Sequence, residues 1–425
     1  MRLLKGARAL DPALGLDAPR DLLLDGGLIV AVERAIPPGG HEVIDVAGKV
    51  VTPGFFDMHV HLREPGFEED ETIASGTAAA AAGGFTGVAC MPNTQPVNDD
   101  QSVTEYILSQ AARGGSCRVH PIGAVTRGLR GEELTEFGDL LESGAVAFSD
   151  DGRPVASGVM MRRALEYSRL FDVPIIDHCE DLVLGDGGVM NEGHLSTLLG
   201  LKGHSRVAEE VVVMRDLLLA ELTGARVHLA HVSTARAVAM IREAKGRGVR
   251  CSAEATPHHL VLTDDAVREY DTRTKMKPPL RTAADRDALL LGLVDGTIDA
   301  LATDHAPHHP DKKKVEFSLA PFGIVGLETA LPLLLDKLVR PGQLPLARLV
   351  DAFAQAPRRI LNLPPVSLRA GAPADLTVLD LERDVTVEAG TFRSLSRNTP
   401  FGGWGLKGAP VLTLVGGEVK YSALV

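Results

Sequence analysis

The rhythm of apolar and polar positions changes twice along the 425 residues. Up to about residue 50, short apolar runs alternate with turn residues. Residues 20–32 read as a hairpin around Asp25-Gly26-Gly27, and Ala47-Gly48-Lys49 supplies another turn. From Val50 eight apolar segments follow, ending near His61, Asn93, Thr126, Asp151, His178, His231, Thr256 and Asp304. Helical patterns lie between them, such as the alanine-rich residues 71–82 and the Val- and Leu-rich residues 205–222. Eight such units predict an α/β fold, a (β/α)8 TIM-type barrel. A doubly wound open sheet would collect its polar residues at one switch point. Here they fall at the carboxyl ends of many different segments. After about residue 362 the β rhythm returns, over residues 374–380 and 410–419. The expectation is a small composite β-sandwich built from both chain ends, residues 1–50 and 362–425, beside a barrel of residues 51–361.

Composition narrows the function more than the fold. Apolar residues make up 45% of the chain, ample for a large core. No apolar run reaches the ~18–20 residues of a membrane helix. The start, Met1-Arg2-Leu3-Leu4-Lys5-Gly6, lacks the apolar block of a signal peptide, so the expected location is the cytoplasm. A net charge of -12 argues against a nucleic-acid binder, yet leaves room for a local basic pocket that takes an acidic small molecule. The cysteines, Cys90, Cys117, Cys179 and Cys251, form no Cys-x-x-Cys, so neither disulfides nor a thiolate zinc site are expected. Lys312-Lys313-Lys314 reads as a solvated loop. The connections 180–206 and 305–325 are long, and either is a candidate lid.

The chemistry starts at Asp57-Met58-His59-Val60-His61-Leu62-Arg63. On a strand, His59 and His61 share a face and can hold one metal ion, although a lone His-x-His reads better as two solvent-facing histidines. Asp150 and Asp151 end the fourth segment, where an aspartate before Gly152 is also common turn chemistry. His178 and His231 end the fifth and sixth segments, and Asp304 the eighth. Taken together, four histidines and two aspartates at one end of a barrel can supply two zinc ions with nitrogen and oxygen ligands and leave space for a shared water.

The run Pro53-Gly54-Phe55-Phe56-Asp57-Met58-His59-Val60-His61-Leu62-Arg63-Glu64-Pro65-Gly66 resembles the amidohydrolase superfamily and, within it, the class I bacterial dihydroorotases. Met91-Pro92-Asn93-Thr94, Phe148-Ser149-Asp150-Asp151-Gly152, Glu254-Ala255-Thr256-Pro257-His258-His259, Thr303-Asp304-His305-Ala306-Pro307-His308 and Ala320-Pro321-Phe322-Gly323 agree with it, over nearly the whole chain. The resemblance implies a binuclear zinc barrel that opens and closes the ring between L-dihydroorotate and N-carbamoyl-L-aspartate in pyrimidine biosynthesis. By matching motif, His59, His61 and Asp304 hold one zinc, His178 and His231 the other, and Asp151 bridges. Asp304 also carries the proton. The implied substrate contacts are His61, Arg63, Asn93, Lys277, His308 and the backbone around Phe322 and Gly323. Arg63 offers a fork that fits a carboxylate. At Lys277 the family usually has asparagine. His258 and His259 read as structural. The implied partners are a small-molecule substrate and a second subunit, with a complex with aspartate carbamoyltransferase also open. Two rivals remain. Hydantoinases and allantoinases usually bridge their metals with a carboxylated lysine on the fourth segment, but no lysine lies between Lys49 and Lys202. A catalytically silent scaffold subunit would have lost ligands, and all six are present.

Overall fold

The computed structural model describes residues 1–424. Strands β1 (Arg2–Asp11), β2 (Leu16–Asp25), β3 (Leu28–Glu33), β4 (Glu42–Asp45) and β5 (Val50–Pro53) begin a sheet that the end of the chain completes. Gly26 and Gly27 both take positive φ, which allows the tight turn that sets Asp25 opposite Leu28. At Gly54 the chain leaves this sheet. A Cβ there would fall 2.2 Å from Thr86 Oγ1, so glycine alone lets β5 pass directly into the barrel.

The barrel strands are β6 (Phe55–Val60), β7 (Phe85–Cys90), β8 (Arg118–Pro121), β9 (Phe148–Ser149), β10 (Ile175–Asp177), β13 (Val227–Leu229), β14 (Cys251–Ala255) and β15 (Ala300–Leu301), with β11 (Met190–Asn191) and β12 (Gly203–His204) an outlying pair. The pairing is parallel throughout, in two sets, β6-β7-β8 and β9-β10-β13-β14-β15. Single parallel bridges, Gly123 to Phe148 and Val60 to His305, join the edges of the two sets. The eight strands therefore run in one ring. Its interior is filled by Phe56, Met58, Ala89, Ile122, Ala147, Ile176, Ala230, Ala300 and Ala302. These side chains pack the ring solid, so the site has to sit at a rim.

Strands β16 (Leu376–Thr386), β17 (Gly405–Val415) and β18 (Glu418–Ser422) close the first sheet. β16 pairs antiparallel with β5, giving the order β18-β17-β16-β5-β1-β2-β3 with β4 beside β1. Both ends of the chain thus share one hydrophobic layer, with Leu4, Leu22, Ile29 and Val51 against Leu376, Val378, Val411 and Leu414.

The expected helix over 71–82 is Ile73–Ala82, started by a reciprocal cap between Thr72 and Ser75. The one over 205–222 is Val207–Thr223. The connection 180–206 holds two short helices, Leu182–Gly185 and His194–Leu199, and the β11-β12 pair. The lysine run departs from expectation. Lys313 is buried, and its Nζ donates to the carbonyl oxygens of Thr272 (3.1 Å), Lys275 (3.3 Å) and Pro321 (2.6 Å). Three backbone acceptors turned inward by neighbouring loops make a socket that an ammonium's three donors fill. Lys312 pairs with Asp70 at 2.8 Å, and only Lys314 remains in solvent. Among the described residues no helix is long and apolar enough to cross a membrane.

Candidate metal centre and active site

The strand ends bring the expected residues to one rim of the barrel. His59 lies in β6, His61 and Arg63 just beyond it, Asp151 two residues past β9, His178 at the end of β10 and His231 two past β13. Arg63, His231 and Asp304 adopt positive φ of 63°, 31° and 49°. Such backbone costs about 1–3 kcal/mol per residue and persists where the surroundings over-determine it, most often at functional sites.

Asp151 is the centre of the geometry. Its Oδ2 lies 3.4 Å from His59 Nε2 and 3.5 Å from His61 Nε2. Its Oδ1 lies 3.4 Å from His178 Nδ1 and 3.6 Å from His231 Nε2. Asp304 Oδ1 stands 3.2 Å from His61 Nε2 and 3.5 Å from His59 Nε2. Most of these separations are long for a hydrogen bond. They match the spacing of about 3.3–3.5 Å between two ligands that each sit ~2.0–2.2 Å from one tetrahedral ion. His59 Nε2, Asp151 Oδ1 and His178 Nδ1 are buried with no hydrogen-bond partner. Two groups, His59-His61-Asp151 and Asp151-His178-His231, have the proximity to hold an ion each, and they share Asp151. The residues therefore fit a pair of metal ions.

Electrostatics agree with a cation at this place. Burial alone would push the Asp151 carboxyl up, but the His59, His178 and His231 rings around it hold it well below the usual carboxylate range. Asp304 would also be raised by burial, yet His61, His59 and His231 bring it down to about 2.

Behind the ring nitrogens stand residues whose roles the sequence did not reveal. His59 Nδ1–H donates to Glu254 Oε1 at 2.6 Å, between two side chains that are fully buried. Glu254 Oε1 also accepts from the backbone N–H of His231 at 3.2 Å, and its Oε2 lies 3.1 Å from His228 Nε2. His61 Nδ1–H donates to Asn93 Oδ1 at 2.9 Å, and His178 Nε2–H to Glu180 Oε2 at 3.2 Å. In each case the outer nitrogen carries the proton and the inner one keeps its lone pair for a metal. Asp57 accepts from the N–H groups of His59 and Thr303 and ties β6 to the end of β15; burial pushes its carboxyl up to about 7. The one signal available beforehand was membership of a quoted motif, which Asp57 and Glu254 have and Glu180 does not.

One cavity of about 270 Å³ opens on this centre. It is lined by His61, Arg63, Asn93, Lys277, His308, Phe322 and Gly323 together with Asp151, His178, His231 and Asp304. His59 lies deeper and does not reach it. Arg63 spends only Nε on protein, donating to the Pro307 carbonyl at 3.1 Å. His308 Nε2–H donates to the Phe322 carbonyl at 2.7 Å, and burial brings its pKa down to about 3, so the ring is neutral. Lys277 Nζ bonds Glu180 Oε2 at 2.8 Å. Asp150 turns away to Thr126. His259 is occupied by Thr256 Oγ1 and the Pro278 carbonyl.

A barrel with this rim is the architecture of the hydantoinase and dihydropyrimidinase enzymes. L-hydantoinase (dihydropyrimidinase) from Arthrobacter aurescens matches 100% of this chain and 97% of its own, with a TM-score of 0.89 and 27% identity. D-hydantoinase (dihydropyrimidinase) from a Thermus species matches 99% and 95%, with a TM-score of 0.84 and 26% identity. The protein is a cyclic amide hydrolase. Sequence relatives narrow the class. Residues 48–237 match the family model described as dihydro-orotase-like. The dihydroorotase of Syntrophotalea carbinolica is 54% identical over 419 residues, 99% of this chain and 98% of that relative. The dihydroorotase of Syntrophus aciditrophicus is 54% identical over 421 residues, 99% of each. The chain belongs to the dihydroorotase family.

Proposed function

We propose that this protein is a zinc-dependent dihydroorotase that reversibly closes N-carbamoyl-L-aspartate to L-dihydroorotate in de novo pyrimidine biosynthesis. The observation that carries the reading is Asp151, whose two oxygens each face a separate pair of imidazoles. In this reading His59, His61 and Asp304 hold one zinc, His178 and His231 the other, and Asp151 bridges. When bound, a zinc pair would supply Lewis acidity and would lower the pKa of a water in the cavity.

The chain's own groups do the rest. Arg63 has its Nη atoms free to grip the substrate carboxylate bidentately, because only Nε is held. Asn93 keeps its amide N–H groups for substrate, since its oxygen is committed to His61. His308 keeps Nδ1 as an acceptor, and Phe322 and Gly323 border the ring. As water adds to the ring carbonyl and the C–N bond breaks, Asp304 takes the proton from the water and hands it to the departing nitrogen. Its carboxyl is ionised before the water adds, so an oxygen is open to the proton. The products are a carboxylate, whose remaining proton passes to solvent, and the terminal NH2 of the carbamoyl group. Ring closure reverses each step.

The division of the chain at residues 50 and 362, a cytoplasmic location, a homodimer and a complex with aspartate carbamoyltransferase belong to the same proposal. They rest on the sequence and the family resemblance. The test is reconstitution of metal-free protein with zinc in carbon-dioxide-free buffer, assayed on dihydroorotate, hydantoin and allantoin. The expected result is two zinc ions per chain and turnover of dihydroorotate alone. A requirement for bicarbonate, or a preference for hydantoin, would overturn the assignment.

A further inference from the structure

The wall between the cavity and the connection 180–206 holds a carboxylate with three partners. Glu180 has a side chain only 6% exposed. Its Oε2 lies 3.2 Å from His178 Nε2 and 2.8 Å from Lys277 Nζ, and its Oε1 lies 2.9 Å from His204 Nε2. Surrounded by three donors, the buried carboxylate is an anion, 3.2 Å from an imidazole whose other nitrogen faces Asp151.

Lys277 meets this anion from the cavity side. Its Nζ also lies 5.4 Å from the Phe322 ring centroid. His204 closes the opposite side, brought there by the β11-β12 pairing that sets Asn191 opposite His204. Gly185 makes room behind. A Cβ there would come within 2.9 Å of Glu180 Oε1 and 3.0 Å of His204 Nε2. Loss of Lys277 would remove one of the two donors on Glu180 Oε2 and leave the carboxylate free to swing away from His178.

We propose that Lys277 is a positioning residue that, together with His204, pins Glu180 against His178 and so fixes the imidazole nitrogen that faces Asp151. The inference rests on reading His178 as a metal ligand. Lys277 thereby acts on the metal centre from the place where a substrate contact would be expected. A carboxylate behind a ligating histidine typically contributes 10–100-fold to metal affinity.

The test compares Lys277→Met, Lys277→Arg and Gly185→Ala with the wild type by zinc retention against a chelator and by kcat and KM for dihydroorotate. Lys277→Met removes the ammonium and keeps the length. Gly185→Ala displaces Glu180 from behind and leaves Lys277 in place. The expected result is that Lys277→Met and Gly185→Ala each lose one of two zinc ions at least about tenfold more readily. In both, kcat falls while KM changes by less than about threefold, and Lys277→Arg recovers much of the retention. Melting temperatures report whether the variants fold, and Lys277→Arg keeps the test decisive if either of the others does not. If Lys277→Met holds both zinc ions as tightly as the wild type and raises KM tenfold or more, Lys277 is a substrate contact and the inference is overturned. If the wild type itself takes up no zinc, the reading of the metal centre falls, and this inference with it.

Discussion

Glu254→Gln removes one charge from behind the metal centre while leaving the shape of the side chain almost unchanged. Glu254 is fully buried and takes three bonds, from His59 Nδ1 at 2.6 Å, the His231 backbone N–H at 3.2 Å and His228 Nε2 at 3.1 Å. An amide oxygen can replace Oε1 and keep the first two. The amide NH2 then faces His228, which can move its proton to Nδ1 because Ser252 Oγ, 2.8 Å away, accepts as readily as it donates. What is lost is charge. A bond to a charged group contributes ~1.5–3 kcal/mol and a neutral one ~0.5–1.5, so each imidazole bond weakens by about 1 kcal/mol. The His59 bond and, by the same reckoning, the bond from the His231 N–H act on residues that face the metal, and a total of about 2 kcal/mol is about 30-fold in affinity. The expected outcome is a loss of 10–100-fold in zinc affinity with a nearly normal melting temperature for the metal-free protein. Competition against a chelating dye measures the first and calorimetry the second. Zinc affinity within about twofold of the wild type would refute the claim that Glu254 sets the His59 ring for a metal. Glu254→Ala should behave differently, stranding three buried donors and destabilising the metal-free fold as well.

Asp304→Asn keeps the shape but removes the proton acceptor, and kcat should fall by more than ~10²-fold; near-normal turnover in a steady-state assay would contradict its role. Arg63→Lys keeps the charge and loses the fork, so KM for dihydroorotate should rise by about tenfold with zinc content unchanged. Unaltered KM would make Arg63 a rim residue. Burial holds the Glu328 carboxyl up to about 7 against bonds from the Arg393 and Ser394 N–H groups. A raised pKa means that the folded chain keeps a proton which the unfolded chain releases near 4.5. The stability this contributes is complete below that value and is lost as pH rises through about 7. Glu328→Gln should therefore gain in melting temperature relative to the wild type as pH rises from about 5 to about 8, and a constant difference would count against the shift.

The sequence determined the pieces that depend on local order. Strand periodicity put His59 and His61 on one face, and the eight apolar segments placed Asp151, His178, His231 and Asp304 at the carboxyl ends of strands, the rim where barrel enzymes carry their active sites. The missing lysine between residues 49 and 202 ruled out a carboxylated lysine on the fourth segment, and the family resemblance pointed to Asp151 rather than Asp150. Tertiary structure decided what each group touches. Glu254 lies 195 positions from His59 and Lys277 lies 97 from Glu180, so no local pattern could pair them. The orientation of every ring depends on such a partner, because an isolated imidazole has two equivalent choices of protonated nitrogen. Lys313 makes the same point in reverse. Its neighbours in sequence are charged, but three carbonyl oxygens from two distant stretches, 272–275 and Pro321, converge on its ammonium. Local patterns report which face of an element is apolar. They carry no record of which backbone acceptors the fold leaves turned inward, and those acceptors place a charge as firmly as an apolar face places a side chain.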